Sequence, residues 1–379
     1  MIKNKIRTIE MVLDWQGKIV LVRASLNVPL KNGVVENNFR LKKILPTLQY
    51  LSKRGAKIVM IGHIGRERTD SLYPVWEALS KLVDIKWGGD YFKYKKDDLK
   101  SGLGLGEVLL LENLRQNEGE VKNESGFASD LANLADIYVN DAFANLHREH
   151  ASMVGVPKCL PAYAGLHLES EIMSLESAMS PASPSLFILG GAKFQTKIHL
   201  VENYLNLYDE IFIGGALAHD IMRARGYEVG RSLVSDVSLE DFLFVNSNRI
   251  LIPKDVIVHR ADQTQAIVKI EDVLPDDVIY DCGPDTVSIL KEKIHSARTI
   301  LWNGPLGNFE IGYHAGTEAV ATAIADSNAN SYVGGGDTVS AISDIRRDPD
   351  FTFISTGGGA MLSYLEHGEL PALNYLLGE

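Results

Sequence analysis

The sequence is poor in cysteine, with only Cys159 and Cys282 among 379 residues. Two distant thiols exclude a disulfide framework and a clustered thiolate metal site, and they favour a reducing, cytoplasmic compartment. No apolar run approaches the roughly 18 residues that a membrane-spanning helix needs. The N-terminal stretch also lacks an apolar core followed by small residues. We therefore expect a protein that is neither exported nor embedded in a membrane.

An excess of positive charge is missing too. The net charge of −11 argues against a general nucleic-acid binder, which needs a basic surface to neutralise phosphates. Residues 1–70 nevertheless hold 14 lysines and arginines against five acidic residues. This segment is suited to a small anion, although a solvated basic face would have the same composition.

Two nucleotide-binding motifs are absent. The chain has neither the P-loop GxxxxGK[ST] nor a well-placed GxGxxG, which disfavours P-loop NTPases and nicotinamide dehydrogenases. A hydrophobic fraction of 45% and 33 glycines are ordinary for a globular protein, and the length predicts two domains.

Short apolar runs rich in β-branched residues recur along the chain, and each ends at glycine or a polar residue. They are KIVLVR (18–23), AKIVMIGH (56–63), EVLLLEN (107–113), DIYVND (136–141), SLFILGG (185–191), EIFIGG (210–215), TILWNG (299–304), SYVGGG (331–336) and FTFISTGGG (351–359). Segments with helical period lie between several of them, at 41–54, 126–134 and 314–325. The alternation predicts an α/β fold with two doubly wound parallel sheets.

The runs fall into two sets, which predicts an N-terminal lobe over 1–162 and a C-terminal lobe over 183–362. HLESEIMSLESAM, within the intervening residues 163–182, has the apolar spacing of a helix joining the lobes. Ligands of open α/β sheets bind beyond the carboxyl ends of the strands. The residues at those ends are therefore the candidates for function.

Strand ends in the first half carry cations. Arg40, His63, Arg66, Arg115 and Arg148 come from four separate segments, and most follow a strand. Guanidinium groups match phosphate and carboxylate geometry, so a small substrate carrying both groups is predicted, although each arginine alone could be a surface charge.

Three further residues in this half allow other interpretations. His147 and His150 could bind a metal, but no third ligand stands at an obvious spacing, so a structural or substrate-orienting role is preferred. Arg23 lies inside an apolar run, which is typical of a buried ion pair with a neighbouring acid.

Strand ends in the second half carry glycines instead. Lys193 and Lys197 follow one of them, four residues apart, at the expected start of a helix. Glycines let backbone N–H groups approach phosphate oxygens, and a helix N-terminus favours negative charge. Asp337 follows a GGG sequence and could hold Mg²⁺ on nucleotide phosphates, cap a helix, or do both.

These strings, in this order, resemble the phosphoglycerate kinase family. The segments that carry the resemblance are VRASLNVP, GHIGR, LLENLR, VNDAF with HREHAS, LGGAK with Lys197, FIGGALA, GYEVGRS, CGPDT, WNGPLGNFE, GGGDT and STGGGA. The resemblance implies a two-lobed monomeric kinase without nucleic-acid or membrane partners. Its N-terminal lobe would bind 3-phosphoglycerate or 1,3-bisphosphoglycerate and its C-terminal lobe Mg-ADP or Mg-ATP. It also implies that the tail 363–379 returns to the first lobe and that the lobes close about a hinge for transfer.

The resemblance also implies roles for individual residues. Expected substrate ligands are Ser25, Leu26, Asn27, Arg40, His63, Ile64, Gly65, Arg66, Arg115 and Arg148. Expected nucleotide-site residues are Gly191, Lys193, Lys197, Gly215, Gly283, Asn303, Pro305, Glu310, Gly335, Gly336, Asp337 and Thr338, with Asp337 on the Mg²⁺ and Glu310 at the ribose hydroxyls. The expected catalytic set is Arg40, Lys193, Lys197 and Gly358.

One position departs from the family pattern. Ser25 stands where the family has an aspartate that contacts the substrate hydroxyl. Serine forms a hydrogen bond but brings no charge, so a catalytically weakened homologue that binds nucleotide and acts in regulation is the alternative hypothesis. Retention of Arg40, Lys193, Lys197 and Asp337 favours the enzyme.

Overall fold

The computed structural model describes residues 5–239, 242–345 and 347–378. Contacts within the chain divide it into two compact units. The first unit contains Met1–Met173 and His367–Glu379, and the second contains Ser174–Glu366. Within the described ranges, no helix has both the length and the apolarity that crossing a bilayer requires.

The first unit is built on a parallel sheet. Its strands are β1 (Ile19–Ala24), β2 (Leu30–Lys31), β3 (Val34–Val35), β4 (Lys57–Ile61), β5 (Lys86–Gly89), β6 (Val108–Leu111), β7 (Ile137–Asp141) and β8 (Ala162–Ala164). Six of them form the sheet in the order β5-β6-β4-β1-β7-β8, with every neighbouring pair parallel, and β2 pairs with β3 as a separate antiparallel ribbon. This order puts β1 and β4 at the centre of the sheet.

Helices connect these strands. They are α1 (Phe39–Lys53), α2 (Tyr73–Leu79), α3 (Lys96–Gly102), α4 (Glu118–Lys122), α5 (Ser125–Ala132) and α6 (Leu166–Ala178), and α6 contains the boundary between the units. In α1, Leu41, Ile44, Leu48 and Leu51 recur every three or four residues and are buried in the same core cluster as Val20 of β1. This spacing forms one apolar helix face, which covers the sheet.

The second unit also contains a six-stranded parallel sheet, together with a separate three-stranded antiparallel sheet. Its strands are β9 (Ser185–Leu189), β10 (Glu210–Ile213), β11 (Ile250–Leu251), β12 (Asp255–His259), β13 (Gln265–Lys269), β14 (Val278–Cys282), β15 (Thr299–Asn303), β16 (Asn330–Gly334) and β17 (Phe353–Ile354). The parallel sheet has the order β11-β10-β9-β15-β16-β17, and β13-β12-β14 form an antiparallel sheet. The helices are α7 (Ile198–Tyr204), α8 (Ala216–Ala224), α9 (Pro284–Ser296), α10 (Ala315–Ala325), α11 (Gly336–Asp344) and α12 (Gly358–His367).

The predicted α/β class with two parallel sheets is confirmed. All nine apolar runs form strands of these sheets, namely β1, β4, β6, β7, β9, β10, β15, β16 and β17. Helices α1, α5 and α10 occupy the segments with helical period, and α6 occupies the segment HLESEIMSLESAM. The lobe ranges, the linker 163–182, the hinge and the tail 363–379 stay predictions.

Candidate active site

In the first unit, most of the predicted substrate ligands follow neighbouring strands. Asn27 follows β1, His63 and Arg66 follow β4, Arg115 follows β6, and Arg148 follows β7. Because the strands are parallel, their carboxyl ends lie at one edge of the sheet. The structure therefore brings these five residues to the same edge.

Hydrogen bonds link the loops at this edge. The Asn27 Oδ1 atom accepts from the Gly65 backbone nitrogen at 3.0 Å. The Arg115 guanidinium donates to the Gly65 carbonyl, and the Arg40 guanidinium, in the first turn of α1, donates to the Asn27 carbonyl. Arg40 therefore lies beside the loop that follows β1, although it comes from a helix.

In this group of strand-end residues, the arginines carry the positive charge and the histidines do not. Burial, then the charges of Arg148 and Arg23, lower the pKa of Arg115. Burial lowers the pKa of His63 well below its ordinary value, and the charges of Arg23, Arg115 and Arg148 act in the same direction. The pKa of His150 falls to about 4, again through burial first and the same arginines next. Both imidazoles are therefore neutral at pH 7, and a bound anion would relieve the repulsion among the guanidinium groups.

Arg23 is fully buried, but it forms no direct ion pair with an acid among the described residues, contrary to the interpretation from the sequence. Its Nε donates to the Ser152 Oγ at 2.9 Å, and this hydroxyl donates to Oε1 of the buried Glu120 at 2.6 Å. A second Arg23 nitrogen lies 2.7 Å from His63 Nδ1. Because guanidinium only donates, Nδ1 accepts and the proton of the neutral His63 ring resides on Nε2. The expected acid is thus reached through a serine, and His63 is fixed as a donor.

His63 and Ser25 leave polar atoms available for a ligand. His63 Nε2 and Ser25 Oγ are buried, and neither has a hydrogen-bond partner within the described residues. Buried polar groups are normally hydrogen-bonded, so such atoms at the carboxyl ends of strands indicate a ligand position. The side chains of Leu26 and Ile64, also predicted at the substrate site, pack in the apolar core, and the substrate role of these residues stays a prediction.

Sequence reasoning missed Asn113, the last residue of EVLLLEN. Its fully buried side chain accepts at Oδ1 from the backbone nitrogens of Ile64, at 3.2 Å, and Arg115, at 3.1 Å. Its Nδ2 donates to the Ile64 and Asp70 carbonyls. Asn113 therefore joins the loops after β4 and β6, and its signal in the sequence was a polar residue two positions after a buried strand.

In the second unit, glycine-rich loops take the place of cations. Gly191, Gly215 and Gly335 have φ values of +87°, +59° and +104°. A Cβ at Gly215 would lie 2.7 Å from the Gly191 nitrogen, and a Cβ at Gly358 would lie 3.0 Å from the Gly335 Cα. The loops therefore approach one another more closely than other residues allow, and Gly336 and Gly358 begin helices α11 and α12. Their first N–H groups form an anion-binding environment.

Of the two lysines that the sequence predicts at the start of a helix, Lys197 lies there and Lys193 precedes it by one turn. Lys193 has a left-handed backbone (φ 64°), a 3₁₀ turn follows at Phe194–Thr196, and Lys197 is the N-cap of α7. Lys197 is 8% exposed, and its Nζ donates to the Ala192 carbonyl at 2.7 Å. Burial and the charge of Lys193 lower the pKa of Lys197 to about 8. A phosphate nearby would restore its full positive charge.

A cavity of about 310 Å³ lies beside these loops. Five of the predicted nucleotide-site residues line it: Gly191, Gly215, Pro305, Glu310 and Asp337. Much of the remaining wall is apolar and includes Met222, Leu233, Pro253, Val256, Ile279, Leu306 and Phe309. The combination of apolar wall and few polar groups is typical of a site for a small organic ligand.

The other predicted nucleotide-site residues do not line this cavity: Lys193, Lys197, Gly283, Asn303, Gly335, Gly336 and Thr338. Gly283 packs so tightly on the Asp255 carboxylate that a Cβ would lie 2.2 Å from it. Thr338 is fully buried, and its Oγ1 accepts from the Gly304 nitrogen at 3.1 Å. Gly283 and Thr338 therefore hold these loops together.

Comparison with known proteins decides the family. The family model described as phosphoglycerate kinase matches residues 10–368. The chain belongs to the phosphoglycerate kinase family. It is thus a phosphotransferase with a carboxyl group as acceptor.

Similar proteins and structures agree with this membership. The phosphoglycerate kinase of Dictyoglomus turgidum is 42% identical over 381 residues, and that of Rubrobacter xylanophilus is 41% identical over 385 residues; each match covers 96% of both chains. The solved phosphoglycerate kinase structures from Coxiella burnetii and Pyrococcus horikoshii have TM-scores of 0.83 and 0.86, with 36% and 33% identity and 98% coverage of both chains. The weakened homologue is not favoured by these full-length relatives.

Asp337 lies at the cavity wall, near the start of α11. It is the second residue of α11 and lines the cavity, whereas Gly335 is the N-cap, so the interpretation of Asp337 as the cap is wrong. No group of three His, Cys, Asp or Glu residues in the described ranges could hold a metal. Mg²⁺ commonly uses one protein carboxylate together with substrate phosphates, and this arrangement fits such an ion.

Two cavity residues of this phosphoglycerate kinase family member escaped sequence reasoning. His219 lies within α8, and Tyr280 lies within β14. Tyr280 stacks on Tyr313 with ring centroids 4.8 Å apart. A histidine or tyrosine inside an apolar periodic segment resembles a core residue, so the sequence carried no separate signal for a cavity role.

Proposed function

We propose that this chain catalyses the reversible transfer of a phosphoryl group between 1,3-bisphosphoglycerate and ADP, giving 3-phosphoglycerate and ATP. The observation that supports the proposal most directly is the cluster of Arg66, Arg115 and Arg148 at one sheet edge with the neutral donor His63. A small molecule with a phosphate and a carboxylate needs donors of this kind, because guanidinium groups match both anions.

The first unit would hold the phosphoglycerate. Its proposed ligands are Ser25, Asn27, Arg40, His63, Arg66, Arg115 and Arg148, while Leu26, Ile64 and Gly65 shape the loops that carry them. His63 donates from Nε2, since its Nδ1 accepts from Arg23. Ser25 offers the buried hydroxyl that would meet the substrate hydroxyl.

The second unit would hold the nucleotide. The apolar wall of the cavity receives the base, Glu310 accepts from the ribose hydroxyls, and Asp337 holds Mg²⁺ on the phosphates. When bound, Mg²⁺ supplies charge neutralisation for the transferring phosphoryl group. The glycine-rich loops and the first N–H groups of α11 and α12 approach the phosphate oxygens.

Phosphoryl transfer to a carboxylate needs little proton chemistry. The acceptor in the ATP-consuming direction is already ionised at neutral pH, so no general base is required. Charge that spreads over the transferring group is stabilised instead by Arg40, Lys193, Lys197 and the backbone at Gly358. In-line transfer also requires the two ligands to meet away from water, which is why we propose domain closure.

We also propose that the protein acts as a cytoplasmic monomer on small molecules, without nucleic-acid or membrane partners. The net charge of −11 and the two distant cysteines support this setting.

A coupled assay tests the proposed reaction. We expect ATP to form from 1,3-bisphosphoglycerate and Mg-ADP with a turnover of about 1 to 10³ per second, as is usual for enzymes. Binding of both ligands without ATP formation would contradict the proposal and support the nucleotide-binding homologue without catalysis.

A further inference from the structure

We propose that His219 makes the nucleotide cavity selective for adenine over 6-oxopurines, by accepting a hydrogen bond at Nε2 from the 6-amino group of the base. The inference rests on the proposed function, since it assigns the cavity to a nucleotide. It adds a specificity-determining residue that the motifs did not include.

The cavity has a polar end and an apolar end, and this difference would orient a nucleotide. Gly191 and Asp337 belong to the polar end, where the glycine-rich loops and the start of α11 favour phosphate. The apolar end is formed by side chains suited to a flat aromatic base: Met222, Leu233, Pro253, Val256, Val278, Ile279 and Tyr280.

Helix α8 runs along the cavity from one region to the other. Its N-cap Gly215 touches the Gly191 loop, and Ala216, His219 and Met222 all line the cavity. With a rise of about 1.5 Å per residue, His219 lies roughly 6 Å along the helix from Gly215, toward Met222. The imidazole therefore belongs to the part of the wall that would face the base.

One hydrogen bond determines which ring nitrogen can serve the ligand. His219 Nδ1 lies 2.8 Å from the Leu233 carbonyl oxygen, which can only accept, so Nδ1 carries a proton. Burial lowers the pKa of His219, outweighing the Leu233 hydrogen bond and the charge of Asp220, so the ring is neutral at pH 7. A neutral ring protonated at Nδ1 has its lone pair on Nε2. His219 thus presents a hydrogen-bond acceptor.

An acceptor distinguishes the two classes of purine. Adenine has an amino group at C6, which donates, whereas hypoxanthine and guanine have a carbonyl oxygen there, which accepts. A 6-oxopurine would place two lone pairs against each other. Relieving the repulsion would require protonating a buried ring or breaking its bond to Leu233, and both changes cost binding free energy.

Calorimetric titration with Mg-ADP and Mg-IDP tests the inference, because inosine diphosphate replaces the 6-amino group with oxygen. We expect the wild-type protein to bind ADP about tenfold or more tightly than IDP. His219→Phe keeps an aromatic ring but removes the hydrogen-bond acceptor, so the ratio of the ADP affinity to the IDP affinity should fall to about threefold or less. His219→Gln should narrow the ratio similarly, since its amide can turn to donate or accept.

Matched measurements separate this inference from the proposed function. Met222→Leu, in the same wall, should alter both nucleotide affinities alike and leave their ratio unchanged. The affinity for 3-phosphoglycerate should stay constant in every variant, which checks that the protein is folded. Equal binding of ADP and IDP by the wild type, or an unchanged ratio in His219→Phe, overturns the role of His219. Failure of both nucleotides to bind would instead count against the proposed function.

Discussion

The first unit presents charged side chains at its strand ends, whereas the second presents backbone N–H groups, a small number of lysines and an apolar cavity. In the first, arginines and neutral histidines lie at the sheet edge. In the second, Gly191, Gly215 and Gly335 adopt positive φ and let the loops approach one another closely. The same type of parallel sheet therefore supports two different ways of attracting an anion.

The two ways of attracting an anion also differ in what they cost in folding free energy. A fully buried guanidinium such as Arg23 must be compensated by charge and hydrogen bonds, and here Ser152 and Glu120 compensate it. The first N–H groups of a helix have no partner within the helix, but they carry only partial positive charge, so they need no buried counter-charge. Glycine loops instead lose more conformational entropy on folding.

The largest effect is expected when the acid that compensates the buried charge of Arg23 in the first unit is removed. Glu120→Ala should lower the free energy of unfolding by about 3–5 kcal/mol, because it leaves Arg23 buried without an acid. Urea denaturation measures the change. The control is Glu118→Ala, whose partly exposed carboxylate pairs with Arg68 and Lys122 and should contribute about 0–1 kcal/mol. Equal losses of unfolding free energy in the two variants would show that the buried network contributes no more than an exposed ion pair.

The second effect concerns the buried cation of the other unit. Lys197→Ala should lower kcat by about 10²-fold or more, since a charge used mainly in the transition state is worth roughly 3 kcal/mol. Steady-state kinetics with both substrates varied measures it, and Arg40→Ala, the matched variant in the first unit, should behave alike. A change confined to KM would contradict a transition-state role.

A smaller effect tests the division of ligands between the units. Asp337→Asn should weaken Mg-nucleotide binding by roughly tenfold to a hundredfold, because contacts to charged groups are worth about 1.5–3 kcal/mol. Binding of 3-phosphoglycerate should not change. Separate calorimetric titrations give both constants, and an unchanged Mg-ADP affinity would remove Asp337 from the metal site.

The smallest effect is expected at Ser25. If serine merely replaces one hydroxyl contact with another, Ser25→Asp should change kcat/KM for 3-phosphoglycerate by about tenfold or less, since a net hydrogen bond is worth about 0.5–1.5 kcal/mol. Asn27 and the surrounding cations remain to hold the substrate. Activation by about 10²-fold or more would instead indicate that the wild-type chain is a weakened homologue.

Local sequence determined the main strands and their polar ends. Runs such as KIVLVR and SLFILGG are continuous, apolar and rich in β-branched residues, so they favour burial in a parallel sheet. Strands β5, β8 and β11 escaped prediction because they are short and obtain their structure from pairing with β6, β7 and β10. The antiparallel strands β12 and β13 also depend on cross-strand partners.

The site residues divide in the same way. The sequence by itself determined which charges and glycines stand at strand ends, because these follow directly from the order of residues along each run. Only the tertiary structure decided that Gly283 packs on Asp255 and that His219 lines a cavity. A glycine facing a carboxylate and one facing a ligand look alike in a sequence. Contacts between residues distant along the chain distinguish them, since those contacts form only when separate strands and helices pack together.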